Sequence, residues 1–329
     1  MEKEACYFFA ADGRYFPYAC LAARRVLDVS GTATPGVILY TGVGREDLEA
    51  ATALLGSHVA IVDMSSELEG FTVNAERLGL ATYMRLFVDL LPVFQPYRTL
   101  VYADCDVLFN RSVADLAATQ LNGALLAAHD DQQYYDPKYR TRLPLKPGAP
   151  YFNAGVLVFN MEQVRDEGLL ERTRRFARER RDICLQHDQD ALNVVFEGRW
   201  QTMDPRWNVM TNFNSQIPFG EAFARHFSWG KPWSKPLGVE PEAHSIYREM
   251  ARNTPWASRF DQSQTANRAR FLLKRLSRKF DASLGMLTSK DKLRKRARYD
   301  ARRSQAVFGA QAAQSVIAGS FPEKLIGLG

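Results

Sequence analysis

The sequence contains no Cys-X-X-Cys pair. Its four cysteines, Cys6, Cys20, Cys105 and Cys184, are scattered. That spacing disfavours a zinc site or a disulfide framework and suits a reducing cytoplasm. No apolar run approaches the roughly 18 residues of a membrane span. The opening Met1-Glu2-Lys3-Glu4-Ala5 lacks the basic-then-apolar layout of a secretory signal. The turn after the first apolar run, Asp12-Gly13-Arg14-Tyr15, carries no Gly-X-Gly-X-X-Gly, so a nicotinamide or flavin enzyme is disfavoured. No Gly-X-X-X-X-Gly-Lys-Ser/Thr occurs, which disfavours a P-loop. There is no internal repeat and no low-complexity tract.

What is present suits a sizeable core: 329 residues, 46% hydrophobic and 24% charged. The charge is unevenly placed. Ala266 to Arg303 hold 14 Lys and Arg against three Asp, a balance of +11, so a whole-chain charge of +6 leaves −5 for the remainder. An acidic body carries a basic tail, and the overall sign does not by itself argue for nucleic acid.

Along the chain, short apolar runs alternate with helical patterns. Ala5 to Ala11, Gly36 to Tyr40, His58 to Val62, Thr99 to Ala103, Leu125 to Ala128 and Tyr151 to Asn160 read as strands. Tyr18 to Leu27, Arg45 to Leu55, Ala81 to Leu91, Leu169 to Arg181 and Ala191 to Phe196 read as helices. Trp200 to Trp207 reads as a strand and turn, and Gln132 to Ala149 as a long loop. Such alternation predicts an α/β fold with a mostly parallel sheet and helices on both faces.

Two carboxylates, Asp104 and Asp106, follow the apolar run Thr99 to Ala103. Burying like charges is costly unless a cation neutralises them, and a divalent metal at the carboxyl end of a strand would do so. The alternative is an Asp pair capping a turn or the next helix. Arg85 stands alone in the apolar run ATYMRLFVDLL and is either an edge residue or a buried cation with an anionic partner. Further acids and amides fall at strand ends or helix starts: Asp12, Asp130 with Asn153, and Asp188 with Gln189. His226 and Lys231 then follow in the loop HFSWGKPW.

This order resembles the family 8 glycosyltransferases, which include glycogenin and bacterial lipopolysaccharide galactosyl- and glucosyltransferases, the lipopolysaccharide branch looking nearest. The segments that carry the resemblance are FFAADGRY, ATYMRL, LVYADCDVLF, YFNAGVLVFN, HDQDALN and HFSWGKPW, spanning about Ala5 to Trp233. The resemblance implies a GT-A fold, a single Rossmann-like nucleotide-sugar-binding domain. It implies transfer of a hexose from a UDP-sugar with retention of anomeric configuration, and a need for Mn2+, with Mg2+ as the alternative ion. Asp104, Asp106 and His226 match the metal ligands, a donor set that suits Mn2+ better than zinc. Ala10, Asp12, Tyr15, Arg85, Cys105, Gly230 and Lys231 match the UDP site, Lys231 as the phosphate-contacting lysine. Asp130, Asn153, Ala154 and Asp188 match residues that bind the donor sugar. Gln189 matches the amide at the β-face of the anomeric carbon, and with Asp188 it makes the catalytic pair.

Two features depart from the family pattern. His226 and Lys231 stand one residue closer than is usual there, and Arg14 stands where relatives often place Asn. Cys105 lies between the two carboxylates, and its side chain reads as core packing. Trp207 and Trp229 are open to sugar stacking or to structural packing.

The donor is then UDP-glucose or UDP-galactose, and the acceptor a saccharide or lipid-linked saccharide of lipopolysaccharide or cell-surface polysaccharide. Front-face attack is favoured, with double displacement through Gln189 or Asp188 open. The competing readings are a self-glucosylating, glycogenin-like protein, a nucleotide-sugar hydrolase, and a non-catalytic UDP-sugar-binding protein at a membrane. Residues 1–262 are expected to form the catalytic domain and residues 263–329 a basic helical extension. In that extension Leu272, Leu276 and Phe280 share a face amid Lys and Arg. It suits peripheral attachment to the anionic inner face of the plasma membrane, or packing on the catalytic domain or a second subunit. No nucleic-acid motif accompanies the charge.

Overall fold

The structure is a computed structural model that describes residues 3–73, 79–129, 141–211, 217–228, 231–233 and 241–258. Its strands are β1 (Lys3–Asp12), β2 (Gly36–Thr41), β3 (Val59–Asp63), β4 (Tyr97–Ala103), β5 (Val107–Phe109), β6 (Leu125–His129), β7 (Phe152–Asn160), β8 (Trp200–Thr202), β9 (Val209–Met210) and β10 (Ala224–His226). The α-helices are α1 (Phe16–Ser30), α2 (Arg45–Leu55), α3 (Val113–Ala117), α4 (Met161–Asp166), α5 (Leu169–Glu179), α6 (Asp188–Val195) and α7 (Pro241–Ala251).

Seven strands form one sheet in the order β3-β2-β1-β4-β7-β6-β8. The pairs β1/β2, β2/β3, β1/β4 and β6/β8 are parallel, while β7 runs antiparallel to both β4 and β6. This is the mostly parallel α/β sheet that the alternating pattern predicts.

Side-chain alternation sorts the apolar runs into two cores. Tyr7, Phe9, Ala11, Val101, Ala103, Val156 and Val158 face α1, α2, α3 and α7. Cys6, Phe8, Ala10, Leu100, Tyr102, Leu157 and Phe159 face the 80–94 segment, α4, α5 and α6. Residues i and i+2 of a strand share a face, so a strand covered on both faces is apolar throughout. Each fully buried Phe or Leu contributes roughly 1.5–3 kcal/mol, so these two layers hold the sheet between them.

Three differences from the expected elements matter to the site. Leu80–Phe87 is a 3-10 helix rather than an α-helix reaching Leu91. Arg85 Nε donates to the Thr82 carbonyl at 2.9 Å, taking an acceptor that an α-helical N–H would otherwise use. A second sheet, β5-β10-β9, has strands of only two or three residues, too short for a periodic signal. It joins the segment after Asp106 to His226: His226 sits opposite Val107 and Met210. Finally, β6 and β7 change register between Ala127 and Ala128, from Ala127 opposite Leu157 to Ala128 opposite Asn153. The extra β7 residues, Ala154 to Val156, form a bulge beside Asp104, whose N–H donates to the Gly155 carbonyl at 2.8 Å.

Candidate active site

The carboxyl ends of β1 and β4 and the amino end of the antiparallel β7 meet the start of α6 and the end of β10. Asp104 and Asp106 occupy the turn between β4 and β5, and two backbone bonds tie that turn down. Val107 N–H donates to the Asp104 carbonyl (3.0 Å), and Phe227 N–H to the Asp106 carbonyl (2.9 Å). The second bond places His226 opposite the pair. Its Nε2 lies 3.7 Å from Asp104 Oδ2 and 3.5 Å from Asp106 Oδ1. One ligand atom from each of Asp104, Asp106 and His226 lies within 4.8 Å of the others.

Asp106 carries the clearest signal of a missing partner. Its Oδ1 is buried without a hydrogen bond among the described residues, while its Oδ2 accepts from Lys231 Nζ. A buried carboxylate oxygen left unpaired is costly. Two carboxylates and an imidazole converging on one point fit a borderline or hard divalent ion. Burial alone would push the Asp106 carboxyl up. Lys231 and His226 outweigh it and hold Asp106 below its ordinary range, ionised and ready to ligate. Lys231 also donates to the Phe227 carbonyl at 2.8 Å, and Asp106 raises its pKa despite burial.

Arg85 is the buried cation, not the edge residue. Only 3% exposed, it pairs through Nε with Asp188 Oδ2 (3.0 Å) and through Nη2 with Asp104 Oδ1 (3.3 Å). Its Nη1 donates to the Ala154 carbonyl, and its guanidinium lies 4.0 Å from the centre of the Tyr102 ring. A lysine could not satisfy that planar set of partners. Tyr102 in turn donates to Asp104 Oδ1 at 2.5 Å. Asp188 is 3% exposed, and burial pushes its carboxyl up to about 7 even though Arg85 pulls the other way.

The bulge in β7 supplies the next part. Ala154 N–H donates to Gln189 Oε1 (2.9 Å), and Gly155 N–H to Asn153 Oδ1 (2.9 Å). Asn153 Nδ2 also donates to Gln189 Oε1 (3.3 Å), and Gln189 Nε2 to Tyr151 Oη (3.2 Å). Tyr151 Oη donates to Asp190 Oδ1 (2.7 Å), and Arg142 Nη2 donates to both Asp190 oxygens (2.8 and 2.6 Å). Asp188 and Gln189 open α6, whose preceding residue, His187, has φ of 56°. Asn193, one turn on, donates to the Gln189 carbonyl and brackets Phe152.

At the end of β1, Asp12 Oδ1 accepts from the Arg14 and Tyr15 N–H groups (3.0 and 3.1 Å), closing the turn into α1. Ala10 is buried in β1. Tyr15 is half-buried at the start of α1, near enough to Lys231 to interact with it electrostatically. Cys105 packs against the core, and burial with Asp106 and Asp104 raises its thiol pKa well above the ordinary value. It is held as a neutral thiol, consistent with a packing role.

Thus the fold draws Asp104, Asp106, His226, Lys231, Arg85, Asp188, Gln189, Asn153 and Ala154 into one constellation, with Asp12, Tyr15 and Ala10 beside it. Asp130 and Gly230 lie outside the described residues, as do Trp229 and the 263–329 extension. Trp207 is a core residue: it packs edge-on against Phe223 (5.1 Å between ring centres) and beside Phe109 (6.5 Å). Tyr102, Tyr151, Gly155 and Asn208 were not among the expected site residues. Gly155 had a signal, since glycine inside a strand marks a bulge or close approach. Asn208 had none, following Trp207 at the end of a Pro205–Asn208 turn.

The sequence model of the family Glycosyl transferase family 8 matches residues 6–236. Among curated relatives, General stress protein A of Bacillus subtilis is 24% identical over 51% of this chain and 58% of its own length. A putative glycosyltransferase of Haemophilus influenzae is 25% identical over 61% and 62%. The chain thus spans about 60% of the length of these relatives. Among solved structures, an active-site mutant of LgtC aligns with a TM-score of 0.66 at 25% identity, covering 77% of this chain and 96% of LgtC. The galactosyltransferase LgtC in complex with donor and acceptor sugar analogs aligns at 0.64 with the same identity and coverage.

Proposed function

The chain belongs to glycosyl transferase family 8 and has the GT-A fold, and from that premise we propose that it is a retaining transferase. In this reading it moves glucose or galactose from a UDP-sugar to a saccharide acceptor, with Mn2+ or Mg2+ held by Asp104, Asp106 and His226. The observation that carries the reading is the buried, unpaired Asp106 Oδ1 facing His226 Nε2 at 3.5 Å, with Asp104 completing the set. A divalent ion there would neutralise the diphosphate and help UDP depart.

The chain's own groups take defined parts. Asp12, Tyr15, Ala10, Gly230 and the backbone of Cys105, whose thiol packs on the core, contact the nucleotide. Lys231 places an ammonium beside Asp106, where a diphosphate would develop charge as it leaves. Arg85 neutralises Asp104 and Asp188 and keeps both in place. Asp130, Asn153, Ala154 and Asp188 hold the donor sugar. Gln189 Oε1 already accepts two hydrogen bonds, which draws electron density away and makes it a poor nucleophile. Asp188 is buried against Arg85. Neither is poised to form a covalent intermediate, which supports attack from the side UDP leaves, with a diphosphate oxygen taking the acceptor proton.

The LgtC complex with acceptor analogs supports a saccharide acceptor, here taken to be part of lipopolysaccharide or cell-surface polysaccharide. Residues 1–262 then make the catalytic unit. The basic 263–329 extension is proposed to hold the protein peripherally at an anionic membrane face, on the cytoplasmic side. Among the described residues no helix is long and apolar enough to cross a membrane.

UDP release from UDP-glucose and UDP-galactose, with Mn2+ and with EDTA, tests the proposal. Turnover of at least one donor is expected, lost in EDTA and restored by Mn2+. Asp104→Asn with Asp106→Asn should lower it by at least about 10²-fold. Metal-independent turnover, or an unaffected double variant, would overturn the metal assignment.

A further inference from the structure

The orientation of every amide around His226 follows from two backbone groups. The N–H of Gly155 and the N–H of Ala154 can only donate, so the atoms they meet, Asn153 Oδ1 and Gln189 Oε1, are oxygens. The Asn208 atom lying 2.9 Å from Asn153 Oδ1 must then be the nitrogen, Nδ2. Its other atom, Oδ1, lies 2.9 Å from His226 Nδ1. An amide oxygen accepts and cannot donate, so His226 Nδ1 carries the hydrogen. In the neutral ring Nε2 is then left with its lone pair, facing Asp106 Oδ1 and Asp104 Oδ2.

Asn208 is fully buried, 0% exposed, and both ends of its amide are used. A short turn fixes it, with the Asp204 side chain accepting from the Arg206 N–H at 2.9 Å. Donation then runs in one direction through the core: His226 to Asn208, Asn208 to Asn153, Asn153 to Gln189, Gln189 to Tyr151, and Tyr151 to Asp190. Hydrogen bonds aligned this way polarise one another, and the chain ends on a carboxylate. Both the ring tautomer and the amide orientations are therefore set by the bulge in β7 and by Asp190.

We propose that Asn208 is a positioning residue: it holds His226 as the Nδ1–H tautomer, with Nε2 bare toward Asp104 and Asp106, and ties that ring to Asn153 and Gln189. The metal half of this inference rests on the ligand reading proposed above. A ligating histidine is oriented by the bond its other nitrogen makes, and loss of such a partner typically costs about 10–100-fold in metal affinity. Asn208 supplies that bond while its Nδ2 donates to Asn153 Oδ1, so one amide links the Asp104-Asp106-His226 side of the site to the Asn153-Gln189 side.

The test uses metal-free full-length protein with 15N-labelled histidine, with the His226 ring read by two-bond 15N–1H correlation at alkaline pH. Mn2+ affinity is measured in parallel by the free-ion EPR signal. Wild type should show the Nδ1–H tautomer. Asn208→Ala should populate Nε2–H and bind Mn2+ at least about 10-fold more weakly. Asn208→Asp, which keeps an acceptor for Nδ1–H but loses the donor to Asn153 Oδ1, should retain the tautomer and bind Mn2+ more tightly than Asn208→Ala. An Nε2–H ring in wild type overturns the proposal, as does wild-type Mn2+ affinity in Asn208→Ala. Should Asn208→Ala not fold, the wild-type spectrum and Asn208→Asp decide alone. Should wild type bind no Mn2+, the metal reading fails while the tautomer still decides the role of Asn208.

Discussion

Gly155 lies beneath the imidazole of His226, and Gly155→Ala puts a methyl group where the ring is. An added Cβ would stand 2.2 Å from His226 Cε1, 2.6 Å from Nδ1 and 2.9 Å from Asn153 Oδ1. Ordinary carbon contacts are about 3.5–4.0 Å, so the ring must retreat by more than about 1 Å. It has little room to do so: His226 is 4% exposed, and β10 is paired on both sides. Gly155 is not among the positive-φ glycines, so alanine brings no backbone strain and the whole effect is steric. Overpacking of this kind costs about 1–3 kcal/mol of stability. Metal bonds tolerate only about 0.2 Å, so Mn2+ affinity should fall by at least about 10-fold. Mn2+ titration by EPR and thermal melting read the two effects separately. Gly44→Ala is the control, because a Cβ there meets nothing within 4 Å. If Gly155→Ala matches that control in both measurements, the placement of His226 against the bulge is wrong.

Further outcomes follow from the same geometry. Asp188 is pushed up to about 7 by burial, with Arg85 opposing and Asp104 reinforcing the shift. Between about pH 4 and 7 the native state keeps a proton that the unfolded chain has released, so the Asp188 contribution to stability falls as pH rises through that window. Asp188→Asn should remove this slope. Its stability relative to wild type should rise by on the order of 3 kcal/mol from pH 4 to 7, and a flat difference in urea melts would refute the assignment. Trp207→Ala should cost about 3–5 kcal/mol in stability with donor affinity retained, because the ring packs on Phe109 and Phe223; loss of donor affinity in a stable variant would reinstate a sugar-stacking role. Deleting residues 263–329 should release the protein from anionic vesicles without loss of UDP binding, read by co-sedimentation and calorimetry. Unchanged vesicle binding would sink the membrane proposal.

Much of the fold was legible because it repeats. Strands buried on both faces read as apolar runs, and helix ends carry local marks such as Gly31 and Gly56, each with positive φ. Most of the candidate site was legible for a different reason. Carboxylates and amides at the ends of such runs have few uses, and their order along the chain matched a known family. The small β5-β10-β9 sheet escaped notice because two or three residues carry no period. Arg85 could not be classed from its own helix, since its two carboxylate partners lie 19 and 103 residues away in sequence.

By itself, then, the chain determined the α/β class, the strand-end carboxylates and the residues that could meet a metal and a nucleotide. Those follow from local periodicity and local chemistry. Which atoms converge at the candidate metal site was decided only in three dimensions. The bulge at Ala154 to Val156 arises from the pairing of β7 with two neighbours of different register. Its two N–H groups set the direction of every amide between Gln189 and His226. A hydrogen bond depends on which atoms the folded backbone brings within about 3 Å, and no local pattern around Asn208 records that.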